Sequence, residues 1–186
     1  GFYTYKDGWW TNFTNNSDNV LQGTSDFICT ALHPSKDLVY IGSCGEGLLK
    51  YDYNQLIQYK AESPIEGGIG DENTYRITDI AFDGNANLWM NNFGSPHPIK
   101  VLKDDGEWKI FTQTPFFGND PPNRFTKVVI DDIDQKWIVI HKEKLLVLNH
   151  GSDIDDESDD QYKELTTGAG RGSLPTNTVN CLAKDK

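Results

Sequence analysis

The stretch "ITDIAFDGNANLW" (77–89) decides the fold, because the chain contains it in three versions. The other two are "ICTALHPSKDLVY" (28–40) and "FTKVVIDDIDQKW" (125–137), and the three align without a gap. Each version opens with a large apolar residue and continues with the alternation of a half-buried strand. A cluster of turn-forming residues follows, and an aromatic residue closes the stretch. Each version therefore predicts two antiparallel strands joined by a tight turn.

The repeat has a regular spacing that extends to the end of the sequence. The turn of each version is marked at its seventh position by Pro34, Asp83 or Asp131. A fourth, shorter version begins at Val179 and reaches the same position at Asp185. Successive starting residues are 49, 48 and 54 positions apart, and in order they are Ile28, Ile77, Phe125 and Val179. A period of this length is typical of a protein built from repeated supersecondary units.

Two further elements complete each unit. An apolar run follows the aromatic residue, at "GLLKY" (47–51), "IKVL" (99–102) and "LLVLN" (145–149). The last element is led by an aromatic residue and ends in Thr, and its copies are "WKIFT" (108–112), "YKELT" (162–166), the detached "WTNFT" (10–14) and the weaker "LIQYK" (56–60). We name the four predicted strands of a unit A to D. No segment has a sustained apolar period of a helix, so the sequence predicts almost no helix.

These observations predict an all-β fold, a partial β-propeller. Four strands per repeat, with an aromatic residue in a fixed strand, are typical of a propeller blade. One blade cannot bury both of its faces, so neighbouring blades stack and the aromatic residues fill the space between them. We expect about three four-stranded blades at residues 27–60, 75–112 and 124–166, flanked by lone single strands at 8–14 and 177–184.

The predicted blades do not complete a ring, because closed propellers have about four to eight blades. We therefore expect the chain to be a fragment of one propeller domain in a longer protein. Its open sheet edges then allow edge-mediated self-association. Closure through a dimer is the other interpretation.

Composition excludes several classes of function. The 186 residues carry a formal net charge of −11, which repels nucleic acid, so we expect no nucleic-acid partner. Mean hydropathy is −0.58, and no apolar window of about 18 residues predicts a membrane span in this segment. These values are typical of one soluble acidic domain.

The cysteines form neither a zinc motif nor a redox motif. They are Cys29, Cys44 and Cys181, an odd number without a C-x-x-C pair. Cys29 and Cys44 flank a predicted hairpin, which brings them close across two strands. Both a disulfide and a pair of buried free thiols are compatible with this spacing.

The sequence predicts no catalytic and no cofactor-binding residues. The histidines lie singly at strand ends or in loops, without ligand spacing, and they are His33, His97, His141 and His150. The glycine-rich stretches "GGIG" (67–70) and "CGEG" (44–47) match no phosphate-binding motif, and the second fits a turn that needs positive φ. A propeller enzyme remains a third interpretation, and it requires matched acid and base residues near the central channel.

Two insertions have more than one interpretation. Six acidic residues crowd into Asp153–Asp160, where the oxygen density suits Ca²⁺ but the spacing is not that of an EF-hand. A solvated tip of the hairpin between strands C and D explains the cluster equally well, so the sequence allows both a metal site and a solvated tip. At the start of the Pro-rich insertion 117–125, Phe116 and Phe117 form either a contact surface or a plug beneath the loop.

The repeat resembles a known family. The stretches "YIGSCGEGLLKYD" (40–52) and "LPTNTVNCLAKD" (174–185) are similar to the two-component regulator propeller repeat. The stretches "WMNNFGSPHPIKVLKDDGEWKIF" (89–111) and "KWIVIHKEKLLVLN" (136–149) depart from the kinase-type W-I-G-T-x-x-G-L signature and look more like the PorZ-type propellers of type IX secretion. The resemblance covers nearly the whole chain.

The resemblance implies a function that the residues alone do not show. PorZ-like proteins are surface-exposed, with two propellers and a C-terminal sandwich-like domain. They work with a sortase-like partner to attach anionic lipopolysaccharide to secreted cargo. On this basis we expect a non-enzymatic binding or scaffold module, extracytoplasmic in a Gram-negative bacterium. Its expected partners are proteins of a surface secretion complex or an anionic polysaccharide. The alternative is the periplasmic ligand-sensing propeller of a hybrid two-component histidine kinase.

Overall fold

The computed structural model describes residues 1–24, 26–112 and 124–185, and in this part of the chain the protein is an all-β, partial β-propeller. The single helical element of the described residues is a 3₁₀ turn at Asn19–Leu21. The first seven strands are β1 (Phe2–Lys6), β2 (Trp9–Phe13), β3 (Phe27–Leu32), β4 (Val39–Gly45), β5 (Leu48–Tyr51), β6 (Leu56–Tyr59) and β7 (Tyr75–Phe82). The remaining strands are β8 (Leu88–Phe93), β9 (Ile99–Leu102), β10 (Trp108–Ile110), β11 (Phe125–Ile130), β12 (Lys136–Ile140), β13 (Lys144–Asn149) and β14 (Gln161–Leu165).

The strands form three antiparallel meanders and one hairpin. Strands β3 to β6 form the first blade, β7 to β10 the second and β11 to β14 the third. Short pairing of Cys44 with Arg76 and of Gly45 with Tyr75 joins the first two blades at one corner. The predicted fold class is confirmed, because each unit is an antiparallel meander of four strands joined by three turns.

The hydrophobic core lies between the blades. The interface between the second and third blades contains Trp89, Ile99, Val101, Phe111, Phe125, Val128, Ile138, Ile140, Leu146 and Leu148. The interface between the first and second contains Tyr40, Leu48, Ile65, Ile77, Ile80, Leu88, Met90 and Leu102. Burial of these apolar faces provides the main driving force for stacking, at about 25 cal/mol for each Å² removed from water.

The alignment without a gap is wrong in the first unit. The turn between β3 and β4 has six residues (33–38), whereas the corresponding turns 83–87 and 131–135 have five. Leu32 pairs with Val39 just as Phe82 pairs with Leu88, so the extra residue lies inside the turn. His33 therefore takes the place of Asp83 and Asp131, and Pro34 does not.

The start of the first unit shifts by the same single residue. Each strand A contains a β-bulge, at Ile28, Thr78 and Thr126. Phe27 is thus the counterpart of Ile77 and Phe125, and Ile28 bulges outward with 49% of its surface exposed. A bulge leaves one residue out of the strand ladder, which a comparison of letters alone does not reveal.

The strand expected alone at 8–14 has a partner. Strand β2 pairs along its whole length with β1, and the hairpin packs on the first blade as strands C and D of an incomplete blade. The rings of Phe2 and Phe13 stack at 4.5 Å, and Phe13 contacts Tyr51 at 4.8 Å. Pairing satisfies backbone N–H and C=O groups that an isolated strand leaves without partners.

The strand expected at 177–184 does not form. Residues 177–184 have no regular secondary structure and lie against the third blade, where Lys184 Nζ contacts Asp132 Oδ1 at 2.5 Å. A strand A forms by pairing with strand B of its own blade, and residues 177–184 pair with no strand of the described residues. The described residues include no helix long and apolar enough to cross a membrane.

Candidate functional site

Glu66 is the centre of a charged cluster on the propeller face formed by the B–C turns and the D–A connections. It lies in the connection between β6 and β7, and it meets residues of the turn between β8 and β9. Its Oε1 accepts a hydrogen bond from His97 Nδ1 at 3.0 Å, and its Oε2 lies 2.9 Å from Lys100 Nζ. Lys100 also donates to Ser95 Oγ at 3.3 Å and to the His97 carbonyl oxygen. One carboxylate thus joins an imidazole and an ammonium group.

Asn92, at the end of β8, fixes the backbone of Glu66. Its Oδ1 accepts from the Glu66 N–H at 2.8 Å, and its Nδ2 donates to the Glu66 carbonyl at 3.0 Å. The same Nδ2 donates to the Arg76 carbonyl at 3.2 Å. The Asn92 amide therefore replaces the strand partner that the irregular connection lacks, and it holds the carboxylate over the second blade.

The cluster is built around a buried charge. The Lys100 side chain is fully buried. Burial lowers the pKa of Lys100 from its usual value, and the neighbouring Glu66 carboxylate partly offsets this effect. Burial opposes ionisation of Glu66 as well, but hydrogen bonds from His97 and Lys100 outweigh it and lower the pKa of Glu66. The arrangement is therefore a partly buried ion pair that joins a connection to a blade.

His97 is the member of the cluster that solvent reaches, because 40% of its side chain is exposed. With its Nδ1 hydrogen donated to Glu66, the Nε2 of a neutral ring is left as a hydrogen-bond acceptor. Proton transfer would require a reactive partner beside this nitrogen, and Glu66 is already engaged by Lys100. Within the described ranges no three His, Cys, Asp or Glu side chains are arranged to hold a metal ion. The geometry thus offers a hydrogen-bonding imidazole that reaches solvent and is held by a carboxylate.

A second buried cation lies between the second and third blades. Lys136 Nζ donates to His150 Nδ1 at 2.8 Å and lies 2.9 Å from Asp134 Oδ2. The same ammonium sits 4.3 Å from the centre of the Trp89 ring, in the geometry of a cation–π contact. Burial lowers the pKa of Lys136, partly offset by Asp134, and burial together with Lys136 lowers the pKa of His150.

The acidic insertion between β13 and β14 is the exposed tip of the hairpin between strands C and D, and it also contacts the second blade. Asp155 lies 3.0 Å from Lys103, and Glu157 lies 3.0 Å from Lys109. Glu157 also accepts from Thr112 Oγ1 at 2.8 Å. The acidic run thereby complements the lysines of the second blade, which explains part of its charge without a bound cation.

The cysteines are free thiols, so the disulfide interpretation is wrong. Cys29 is packed under the second blade with its Sγ 3.7 Å from the Ile77 carbonyl oxygen. Burial raises the pKa of Cys29 to about 12. Cys44 is exposed, so only one of the two thiols expected to be buried is packed inside. The bulge in β3 changes their register, and Cys29 pairs with Gly42.

The other residues that the sequence analysis singled out lie in different environments. His33 and His150 are buried, whereas His141 lies in the turn after β12. Phe116 and Phe117, with most of the insertion 117–125, lie outside the described residues. Sequence reasoning missed Glu66 and Lys100; the one available signal was a lysine inside the apolar run "IKVL", since such a residue needs a buried partner.

Comparison with known proteins defines the class. No family model matches the sequence, and no curated protein matches it. Solved structures do match, among them PorZ, a surface component of the type IX secretion system of Porphyromonas gingivalis, at a TM-score of 0.70 and 24% identity over 86% of this chain. The extracellular domain of a putative hybrid two-component system from B. thetaiotaomicron matches at 0.61 and 18% over 88%. The chain is a β-propeller protein similar to these two propeller types, as the sequence predicted.

The similarity is one of fold. The chain covers 23% of the PorZ chain and 21% of the two-component system domain. A catalytic propeller also matches, the virginiamycin B lyase of Staphylococcus aureus, at a TM-score of 0.54 and 10% identity over 75% of this chain and 41% of the lyase. The propeller fold is thus common to surface, sensory and catalytic proteins, and function must be argued from the residues.

Proposed function

We propose that this chain is part of a non-enzymatic, extracytoplasmic propeller that binds or scaffolds other molecules in the manner of PorZ-like proteins of type IX secretion. The observation that carries the proposal is the match to PorZ over 86% of the chain at a TM-score of 0.70. The Glu66 cluster supports a non-catalytic role, because its carboxylate is held by Lys100. The proposed location is the periplasm or outer-membrane surface of a Gram-negative bacterium.

The charge of the chain bears on the choice of partner. A net charge of −11 favours protein partners with basic surfaces, through long-range attraction. An anionic polysaccharide is the other proposed partner, and it must approach a local group of cations to overcome the overall repulsion. Both partners belong to a complex that attaches cargo to the cell surface.

Binding to immobilised chain tests this function. The probes are anionic lipopolysaccharide purified from Porphyromonas gingivalis and neutral dextran as the control. Saturable binding of the lipopolysaccharide that weakens with added salt supports a role in surface attachment. Release of shortened glycan products, detected by mass spectrometry, would contradict the non-enzymatic assignment.

The second candidate is the sensing propeller of a hybrid two-component histidine kinase. It is favoured by the match over 88% of the chain to the extracellular domain of such a system. The full gene product separates the two candidates. A transmembrane helix followed by a kinase domain would exclude the secretion role, and a β-rich C-terminal domain without a span would exclude the sensor.

A further inference from the structure

A cleft of about 230 Å³ opens between the first and second blades on the face of the A–B and C–D turns. The first blade contributes Tyr40, Lys50 and Tyr59 to its walls, and the second contributes Leu102 and Trp108. The rings of Tyr59 and Trp108 meet edge to face with centroids 5.8 Å apart. The cleft is thus a concave space with aromatic walls and a lysine among them.

The equivalent space at the interface between the second and third blades is filled by side chains. Tyr40 pairs with Lys50 across β4 and β5, as Trp89 pairs with Val101 across β8 and β9. Tyr59 pairs with Leu48 at the start of β5, and Phe111 bonds to Ile99 at the start of β9. The three equivalent pairs are therefore Tyr40 and Trp89, Lys50 and Val101, and Tyr59 and Phe111.

At all three positions the residue of the first blade is more polar than its counterpart in the second blade. Trp89, Val101 and Phe111 are all fully buried and pack against the third blade. Their counterparts in the first blade each end in a polar group, two hydroxyls and one ammonium. An interface that served only packing would bury apolar side chains at these positions. Three polar ends that converge on one cleft indicate a place for a ligand.

The polar ends are available. In the described part of the chain, Lys50 Nζ has no carboxylate within ion-pair distance, and neither Tyr40 nor Tyr59 has a hydrogen-bond partner for its hydroxyl. Burial raises the pKa of Tyr40 to about 12, and the nearby Tyr59 adds to this effect. Burial also raises the pKa of Tyr59. Both hydroxyls therefore remain protonated at neutral pH and can act as hydrogen-bond donors.

Most of the other charges around the cleft are already engaged, and Asp105, the second carboxylate of its lining, accepts a hydrogen bond from the Glu107 backbone N–H at 2.9 Å. Asp104 accepts hydrogen bonds from His33 Nε2 at 2.9 Å and from Lys36 Nζ. Lys103 lies 3.0 Å from Asp155 of the third blade. Lys50 is thus a cation of the cleft that forms no close ion pair with a carboxylate of the described residues, although its charge acts at longer range on Asp52. An ammonium that lines the same cleft as two phenolic hydrogen-bond donors fits an oxygen-bearing anion.

We propose that this cleft binds the oxyanion group of a small ligand, a carboxylate, phosphate or sulfate, through Lys50 with Tyr40 and Tyr59 as hydrogen-bond donors. The aromatic wall formed by Tyr59 and Trp108 contacts the body of the ligand. The volume limits that body to a small molecule or to one terminal unit of a larger one. The site requires neither the secretion role nor the sensory role, because it depends only on the interface between two blades.

Amide chemical-shift titration of the whole chain tests the site. The probes are sodium phosphate, sodium sulfate and glucuronate, each added at constant ionic strength against sodium chloride. We expect saturable shifts confined to β5, β6 and the β9–β10 turn for at least one probe. The probe that binds best identifies the kind of oxyanion, and the absence of any saturable shift at these amides overturns the proposal.

Two variants test the roles of the side chains. Lys50→Val introduces the residue found at the equivalent position of the second blade, so the fold should persist while the affinity falls at least tenfold. Tyr59→Phe copies Phe111 in the same way and should weaken binding severalfold. Lys163→Val, which removes an exposed lysine of β14, is the matched control and should bind as the unchanged chain does. Equal affinity of the Lys50→Val variant and the unchanged chain contradicts the site.

Discussion

The indole Nε1 of Trp89 donates a hydrogen bond of 2.9 Å to Asp83 Oδ2, and Trp137 makes the same bond to Asp131 at the same distance. The second oxygen of Asp83 accepts from the backbone N–H groups of Asn85 and Asn87 at 2.9 and 2.8 Å. One carboxylate thus closes the A–B turn and orients the aromatic residue that packs between blades. The turn marker and the aromatic residue of the repeat are therefore physically coupled.

The first blade achieves the same turn with an imidazole. His33 Nδ1 accepts from the backbone N–H of Ser35 at 3.2 Å and from that of Lys36 at 3.1 Å. Since Nδ1 is the acceptor, the proton of a neutral ring resides on Nε2, which donates to Asp104 on the second blade. Tyr40, without an indole N–H, needs no carboxylate here.

Replacing Asp83 by Ala should destabilise the protein by about 2–4 kcal/mol, because it leaves a buried indole N–H and two turn amides without acceptors. Urea unfolding followed by tryptophan fluorescence measures the loss. Asp131→Ala is the matched comparison and should cost less, since Trp137 is only half-buried. Equal losses in the two variants would show that burial of the indole does not determine the cost.

Replacing Glu66 by Gln should cost about 3 kcal/mol, because the ammonium of Lys100 remains buried without its carboxylate. The value lies at the low end for broken buried pairs because 32% of the Glu66 side chain is exposed. Adding Lys100→Met to this variant should recover part of the loss. A double-mutant cycle from chemical denaturation provides the coupling free energy, and strict additivity would contradict the pairing.

Stability should decline as the pH falls below about 6.5, owing to His150. Burial and the neighbouring Lys136 lower the pKa of folded His150 from its usual 6.5. In the window from 6.5 down to that lowered value, the unfolded chain binds a proton that the folded chain does not, so acidification favours unfolding.

Thermal unfolding at a series of pH values between about 7.5 and 5 measures this dependence, in a range set by the histidine pKa. His150→Asn should flatten the dependence, because the group that gains the proton is gone. His141→Asn, a change in the turn after β12, should leave the slope as it is. A steeper slope in the His150→Asn variant would be inconsistent with this explanation.

Thiol labelling should separate the three cysteines. Cys44 and Cys181 are exposed and should react with an alkylating reagent within minutes, whereas Cys29 should react only after unfolding. The raised pKa of Cys29, about 12, leaves almost no thiolate at neutral pH. Mass spectrometry after timed quenching counts the labels, and rapid addition of a third label to the folded chain would contradict the packed position of Cys29.

Strand positions were predictable because they depend on local signals. Alternation of apolar residues and the turn residues around Asp83 identify strands without knowledge of the rest of the fold. The extra turn residue of the first unit was not predictable, since either His33 or Pro34 suits a turn. The Glu66–Lys100 pair was hidden for another reason: its members are 34 positions apart, and only the packing of a connection on the second blade brings them together.

The sequence by itself determined that this chain is an all-β protein of repeated four-stranded units, because period-two alternation and turn chemistry act within a few residues. The tertiary structure decided that "WTNFT" (10–14) belongs to a hairpin and that residues 177–184 form no strand, because a strand exists only with a hydrogen-bonded partner. It also decided that Lys50 faces a cleft while its equivalent Val101 is sealed in a core. Which blade faces meet is set by the stacking of whole sheets, and no local pattern encodes it.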